Sequence, residues 1–230
     1  MDYRTKFLEL LHTELIPQYC DHPSRGWGRA GFIDNSALVS EADACDFLRA
    51  IEGGLVRHVG RGLYSAPKSS VKEQFFWEFK KNLVPRTFAI SLEPIITLAA
   101  FARLHFEYGW PAELIGTQSK KWEFDLVAYP QQDAENESIA AEIKKSAKEV
   151  EKLVEHITSL SGAGMVDVTG NAVMRNSIKK YNGLVERGAS VFWIVGPAKL
   201  NYVFKVEQLG NNRIALTLRD ESLLRHSKSV

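Results

Sequence analysis

The sequence lacks most of the features that would assign it to a specialised class. Only 2 of its 230 residues are cysteine, and Cys20 and Cys45 lie too far apart for a CxxC pair, which argues against a zinc ribbon or a disulfide framework. The formal net charge is +1, so no global excess of charge predicts a nucleic acid, a membrane surface or an acidic ligand. Any charged binding site must therefore be local.

Long hydrophobic runs are also absent. The most apolar region, near residues 90–104, is interrupted by Glu93, Pro94 and Arg103, so it cannot span a bilayer. The first residues are charged and amphipathic, unlike a signal peptide. With 45% hydrophobic and 25% charged residues, the composition is that of an ordinary globular protein. These observations predict a cytoplasmic protein with no membrane partner.

Several common catalytic signatures are missing. The six histidines show no HExxH or other ligand spacing, and no Walker loop, GxGxxG or GxSxG occurs. The glycine-rich Ser161-Gly-Ala-Gly164 follows a predicted helix, whereas phosphate loops follow strands, so a connector is the better interpretation. These absences argue against zinc peptidases, nucleotide-binding folds and serine hydrolases.

The first third of the chain reads as helices followed by a hairpin. Helices are predicted at about residues 3–16 and 36–52, and two short β-prone runs then flank Gly60-Arg-Gly62, which predicts a hairpin with a basic tip. Ser70-Val-Lys-Glu73 resembles a capping box and predicts a helix that closes before Pro85. The seam at Ala66–Ser70 predicts a small domain at residues 1–67 and an α/β domain at residues 68–230.

Beyond residue 88 the hydrophobic period changes from helical to strand-like and back. The pattern predicts one helix, three short strands, two further helices and a strand buried on both faces. In chain order these are helix 91–107, strands 112–117, 122–129 and 138–144, helices 144–160 and 171–187, and strand 191–195.

Two of these strands carry polar residues on matching faces. Side chains alternate along a strand, so Glu142 and Lys144 point the same way, opposite to Ile143. If strands 122–129 and 138–144 pair as a hairpin, Asp125 approaches Glu142 closely enough for both carboxylates to share one hard cation. Mg²⁺ takes such oxygen ligands, and the repulsion between two like charges favours a bound cation. Mn²⁺ is the alternative ion.

Phe124-Asp-Leu-Val-Ala-Tyr129 followed by Ile139-Ala-Ala-Glu-Ile-Lys144 resembles the PD-(D/E)XK nuclease superfamily. The resemblance implies the restriction-endonuclease-like fold, an α/β mixed-sheet core in the order α-β-β-β-α-β. It implies that Asp125 and Glu142 bind metal and that Lys144 assists the attacking water. Phe124 stands where the motif has proline, and helix 171–187 is an addition to the core.

Two choices remain open at this point. The acid that many members place on the helix before the first strand is Glu93, near the helix start, or Glu107, near its end. Glu142 and Lys144 are also compatible with a solvated strand rim that carries a surface ion pair of little energetic value. The lysines at positions 145, 148 and 152 share a helical face that is better interpreted as solvated, because glutamates are interleaved with them.

The predicted hairpin at residues 54–67 indicates a second function for the chain. Gly54–Pro67 resembles the wing of the winged-helix domain in AbiEi-type antitoxins and related regulators. Arg57, His58 and Arg61 would present cations and hydrogen-bond donors to phosphates, and Tyr64 a flat face or a hydroxyl. The alternative is a hairpin that only packs against its helices.

Together the two resemblances imply a winged-helix-like DNA-binding module followed by a Mg²⁺-dependent endonuclease that hydrolyses DNA in restriction, defence or DNA processing. Such nucleases often dimerise, and Asn201–Leu218 is the expected interface of a homodimer. The rival interpretation is a DNA-binding transcriptional regulator of the antitoxin kind, whose second domain binds a partner and cuts nothing.

Overall fold

The computed structural model describes residues 2–21, 25–69, 71–79, 84–119 and 123–227. The chain begins with α1 (Tyr3–Leu10), which continues through a π-helical turn at Leu11–Leu15 into α2 (Ile16–Tyr19). The side chain of Asp2 caps the start by accepting a hydrogen bond from the backbone N–H of Thr5. Apolar side chains four residues apart are buried along one face: Phe7, Leu11, Leu15 and Tyr19.

A strand, a helix and a hairpin follow. β1 (Trp27–Phe32) precedes α3 (Glu41–Glu52), which starts at the capping residue Ser40 and ends at Gly53. β2 (Arg57–His58) and β3 (Leu63–Ser65) pair antiparallel, so the predicted hairpin is confirmed. Its tip has positive φ at Gly60, Arg61 and Gly62, a backbone conformation that glycine adopts without steric cost.

The helix predicted to start at residue 70 is wrong. This segment is extended: β4 (Glu73–Gln74) adds to β3, and β5 (Phe76–Glu78) pairs with β6 (Arg86–Ile90), which runs parallel to β1. The aromatic run Phe75–Trp77 fits a pleated, half-buried surface, and the ring of Phe75 packs against the rings of Phe7 and Phe47. Ser70, the predicted cap, lies outside the described residues.

A six-stranded mixed sheet forms the centre of the remaining chain. Its spatial order is β12-β11-β10-β9-β8-β7, in which β9 and β10 are parallel and the other neighbours are antiparallel. The strands are β7 (Ile115–Thr117), β8 (Leu126–Ala128), β9 (Ile139–Ile143), β10 (Val191–Val195), β11 (Asn201–Gly210) and β12 (Arg213–Arg219). The protein is therefore of the mixed α/β class, as the sequence predicts.

Helices cover both faces of this sheet. α4 (Leu92–Phe106) precedes β7, whereas α5 (Ala147–Leu160) and α6 (Ala172–Arg187) form the crossover that parallel β9 and β10 require. Ala141 of β9 belongs to the hydrophobic core on the α4 side, and Ala140 to the core beneath α5 and α6. Glu142, two residues after Ala140, therefore faces α5 and α6. None of the described helices is long and apolar enough to cross a bilayer.

Backbone pairing crosses the predicted domain boundary at residue 67 in two places. β3 pairs with β4, and β1 pairs with β6. α3 also packs against α4, and one hydrophobic core contains both Phe47 of α3 and Trp193 of β10. The division into residues 1–67 and 68–230 stays a prediction. In the structure the two segments share strand pairing and a hydrophobic core across that boundary.

Candidate functional site

Asp125 lies immediately before β8, at the point where β8 and β9 separate. Its backbone N–H donates to the carbonyl of Ala141 at 3.0 Å, which places Asp125 one step beyond the pair Leu126–Ala141 and opposite Glu142. The carboxylate Oδ2 of Asp125 accepts a hydrogen bond from the backbone N–H of Ile143 at 2.9 Å. The predicted hairpin thus forms and brings Asp125 to the end of β9.

Two ammonium groups hold the carboxylate of Glu142. The side chain of Glu142 is only 5% exposed; Lys144 Nζ lies 2.6 Å from Oε1, and Lys180 Nζ lies 2.7 Å from Oε2. Lys144 donates a hydrogen bond to Oε1. Lys180 is an ion-pair partner of Oε2, but this oxygen accepts no hydrogen bond of suitable geometry from the described residues. A buried carboxylate without such partners would be strongly destabilising. Glu142 is therefore a buried, ion-paired carboxylate and is not part of a solvated rim.

The pKa of Asp125 is raised to about 7, first by burial and then by the negative charge of Glu142. Lys180, the N–H of Ile143 and Lys144 oppose this rise without cancelling it. Two carboxylates that compete for the same positive charge are an arrangement that a divalent cation relieves.

Lys144 is kept positively charged by its neighbours. Burial acts to lower the pKa of its ammonium, but the carboxylates of Glu142, Asp125 and Glu93 outweigh burial and raise the pKa above its usual value. Since the ammonium stays protonated near neutral pH, Lys144 can donate hydrogen bonds and offset negative charge, but it cannot act as a general base.

Of the two candidate acids, Glu93 lies near Glu142 and Lys144, and Glu107 does not. Glu93 lies in the first turn of α4 and lines the same cleft as Glu142 and Lys144. Partial desolvation raises the pKa of the Glu93 carboxyl, while the charges of Lys144 and Lys145 lower it. Glu107 caps the opposite end of the 15-residue helix, where Lys199 Nζ contacts it at 2.8 Å. The two glutamates are therefore about 20 Å apart along the helix axis.

Lys180 is the site residue that sequence reasoning missed. It lies on α6, the helix that the motif does not include, and its ammonium also donates to the backbone carbonyl of Glu123. The only signal in the sequence is its position beside the buried stripe of α6, next to Tyr181. That position gives no indication of which strand the side chain meets.

Two clefts open beside Glu142 and share Asn176 and Lys180 in their walls. One, of about 460 Å³, is lined by Glu93, Lys144, Lys148 and Lys152 among others. The second, of about 570 Å³, adds Lys179. Lys148 and Lys152 are exposed, as the sequence predicts, and they also border the first of these clefts. Lys145 lies 4.0 Å from Glu149 and borders a different cavity.

The hairpin residues divide into exposed and buried. Arg57 is exposed, and Arg61 at the tip lies 3.6 Å from Asp21 with about half of each side chain exposed. His58 accepts a hydrogen bond from the backbone N–H of Gly62, and burial lowers its pKa. Tyr64 is 2% exposed and packs edge-on against Phe47, so it is a core residue whose ring and hydroxyl are not available to a phosphate backbone.

The donor set at Asp125 and Glu142 fits a hard divalent cation that keeps several waters. Within the described residues, no group of three or more histidine, cysteine, aspartate or glutamate side chains is arranged to hold a metal. Neither Cys20 nor Cys45 forms a disulfide. A cation at this place would rest on two carboxylates, with water and backbone oxygens completing its shell.

Comparisons of this chain with protein families, with curated proteins and with solved structures give no match.

Proposed function

We propose that this protein is an endonuclease that hydrolyses DNA phosphodiester bonds with Mg²⁺ or Mn²⁺. One observation carries the proposal: the buried carboxylate of Glu142 is held between Lys144 and Lys180, beside an Asp125 whose pKa is raised by burial and then by that same carboxylate. Titratable groups that perturb one another beside a cleft are typical of functional sites; Glu142 lines two clefts, and Asp125 lines a further cavity that shares Glu93 with one of them.

The order of the elements supports the proposal. α4, β7, β8, β9, α5 and β10 follow one another as the α-β-β-β-α-β order of the PD-(D/E)XK resemblance requires, with α6 as the additional helix. Asp125, Glu142 and Lys144 take the positions of the acid, acid and lysine of that motif, at the ends of β8 and β9.

Each residue has a separate role in this proposal. Asp125 and Glu142 hold the metal ion, which supplies an activated water and neutralises charge on the phosphodiester. The ammonium of Lys144 offsets the negative charge that develops on the phosphate. Glu93, at the wall of the same cleft, helps to orient water. Lys148 and Lys152 bind phosphates that flank the reacting one.

The hairpin supplies a second contact with DNA. Arg57 and Arg61 are exposed cations on β2 and the adjoining tip, where they would bind the phosphate backbone of a duplex as the wing of a winged-helix module does. A homodimer remains part of the proposal, with β12 as its expected contact, because this strand ends the sheet and leaves Leu218 55% exposed.

A DNA-binding regulator without catalytic activity is the second candidate. The two ion pairs of Glu142 favour it, because a carboxylate already neutralised by Lys144 and Lys180 binds a cation less readily. In that case Asp125 and Glu142 would be structural, and the protein would bind DNA without cutting it.

Cleavage of a supercoiled plasmid in Mg²⁺, Mn²⁺ or EDTA separates the two candidates. We expect cleavage by the wild type in either metal, none in EDTA, and a loss of about 100-fold or more in Asp125→Asn and in Lys144→Ala. Glu155→Gln and Lys205→Ala are matched controls, since both side chains are exposed and border neither cleft.

Cleavage that survives both site substitutions would show that the assigned site is wrong. DNA binding without cleavage of any DNA or RNA substrate would favour the regulator.

A further inference from the structure

A further cavity, of about 290 Å³, is lined by Asp125, which borders neither of the two clefts beside Glu142. Its walls come from β4, β5, the start of α4 and the end of β7, and they include Glu73, Gln74, Trp77, Glu93 and Gln118. Small-molecule sites usually occupy about 300–1,000 Å³, so this volume suits one flat ring system better than a strand of nucleic acid.

Glu73 is the buried polar group of this cavity. Its side chain belongs to a residue that is only 8% exposed, and its Oε1 accepts no hydrogen bond from the described residues. Burial raises the pKa of this carboxyl to about 7, so a large fraction is neutral near pH 7 and can donate a hydrogen bond as well as accept one. Thr117 supplies one side-chain hydrogen bond to this carboxyl, which leaves Oε1 as the unsatisfied oxygen that a ligand in the cavity would pair.

The charge of the cavity restricts that ligand. Glu73, Glu93 and Asp125 all border it, and three carboxyl groups disfavour a phosphate. A metal ion held by Asp125 belongs to the proposed site beside Glu142 and is not a separate ligand of this cavity. The remaining class is a neutral, flat molecule with hydrogen-bonding edges.

An aromatic ring and two side-chain amides in the cavity wall fit such a molecule. Trp77 is 62% exposed at the cavity wall, an unusual exposure for the largest aromatic side chain. The Oε1 of Gln74 accepts from the backbone N–H of Phe76 at 3.0 Å, which leaves its NH₂ group as a donor, and Gln118 adds a second amide. Bases outside a duplex are bound in this way, by stacking and by hydrogen bonds to their edges.

We propose that this cavity receives an unpaired nucleobase of the DNA substrate, stacked on Trp77 and hydrogen-bonded by Glu73, Gln74 and Gln118. This inference rests on the proposed function and narrows its substrate to DNA that contains an extrahelical or single-stranded nucleotide next to the cleavage position.

Fluorescence anisotropy in EDTA, where no cleavage occurs, tests the proposal. One labelled duplex carries a single unpaired adenine, and its partner carries an abasic residue at the same place. We expect the wild type to bind the adenine duplex at least fivefold more tightly than the abasic duplex, since stacking of one base on an aromatic residue contributes this much or more. Trp77→Ala should abolish the difference and leave affinity for the abasic duplex unchanged.

Phe79→Ala is the matched control, because Phe79 is 44% exposed on the same segment but does not border this cavity; it should keep the preference. Equal, tight binding of both duplexes by the wild type would overturn the base pocket and leave the proposed function intact. Failure to bind either duplex would overturn the proposed function and the pocket together.

Discussion

Lys180 Nζ lies 2.7 Å from Glu142 Oε2, a contact between a helix outside the predicted motif and the central acid of that motif. The ammonium contacts a carboxylate that, under the proposed function, would hold a metal ion. Lys180 therefore neutralises Glu142 in the protein without metal, and under the proposed function it would compete with a cation for the same carboxylate.

Lys180→Met should destabilise the metal-free protein. Because Glu142 is buried and retains only Lys144, we expect the free energy of unfolding to fall by about 3 kcal/mol, measured by urea denaturation in EDTA. Lys179→Met, on the same helix, is the control and should change it by less than about 0.5 kcal/mol, since Lys179 is exposed. The midpoint of the Mg²⁺-dependent rise in Tm should move to lower concentration in Lys180→Met, and an unchanged midpoint would contradict the competition.

Asp125 should make stability depend on pH. Its folded pKa is about 7, above the ordinary value of 3.8, so its protonated form contributes stability that is fully present below about pH 4 and lost as the pH rises through 7. In EDTA, Asp125→Asn should therefore be more stable than the wild type at pH 8, by about 1–3 kcal/mol. The two proteins should converge near pH 4. A constant difference across this range would show that Asp125 is not the titrating group.

Lys148 and Lys152 should set part of the salt dependence of DNA binding. If each neutralises one phosphate, Lys148→Ala/Lys152→Ala should reduce the slope of log affinity against log salt by about 2. The affinity of the double variant for DNA at low salt should fall, whereas its free energy of unfolding without metal should hardly change. Lys205→Ala, which removes an exposed lysine paired with Glu207, should leave the slope as it is; equal slopes for all three proteins would place the DNA elsewhere.

Substitutions in the hairpin should affect DNA binding and protein stability separately. Arg57→Ala/Arg61→Ala should weaken DNA binding without lowering Tm, because both side chains are exposed. Tyr64→Ala should lower the free energy of unfolding by about 3–5 kcal/mol, because it removes a ring packed in the core. Unaltered DNA affinity in the double arginine variant would argue against the winged-helix interpretation.

Local periodicity was sufficient to predict the strand ends of the site. The alternation of Ile143 with Glu142 and Lys144 places the two polar side chains on one face, and the acidic loop between β8 and β9 is short enough to predict their hairpin. The same reasoning located helices 91–107 and 171–187, because their hydrophobic stripes extend over several turns.

Contacts between distant parts of the chain were not predictable in the same way. Lys180 of α6 reaches Glu142 of β9 through the tertiary fold, and sequence periodicity carries no information about that contact. Phe75, Phe76 and Phe79 have spacing compatible with a helix, but pairing of β4 with β3 and of β5 with β6 determines the extended conformation. The choice between Glu93 and Glu107 likewise required knowledge of which end of α4 meets the strand ends.

The two strand pairs that cross residue 67 have a consequence for dissecting the protein. A cut in the segment between β3 and β4 would leave fragments that still have to complete each other's sheets, through β1 with β6 and β3 with β4. Co-expressed as two polypeptides, they should reassemble and co-purify. Under the proposed function, plasmid cleavage would report the same association, and the two fragments would act as a split reporter controlled by strand complementation.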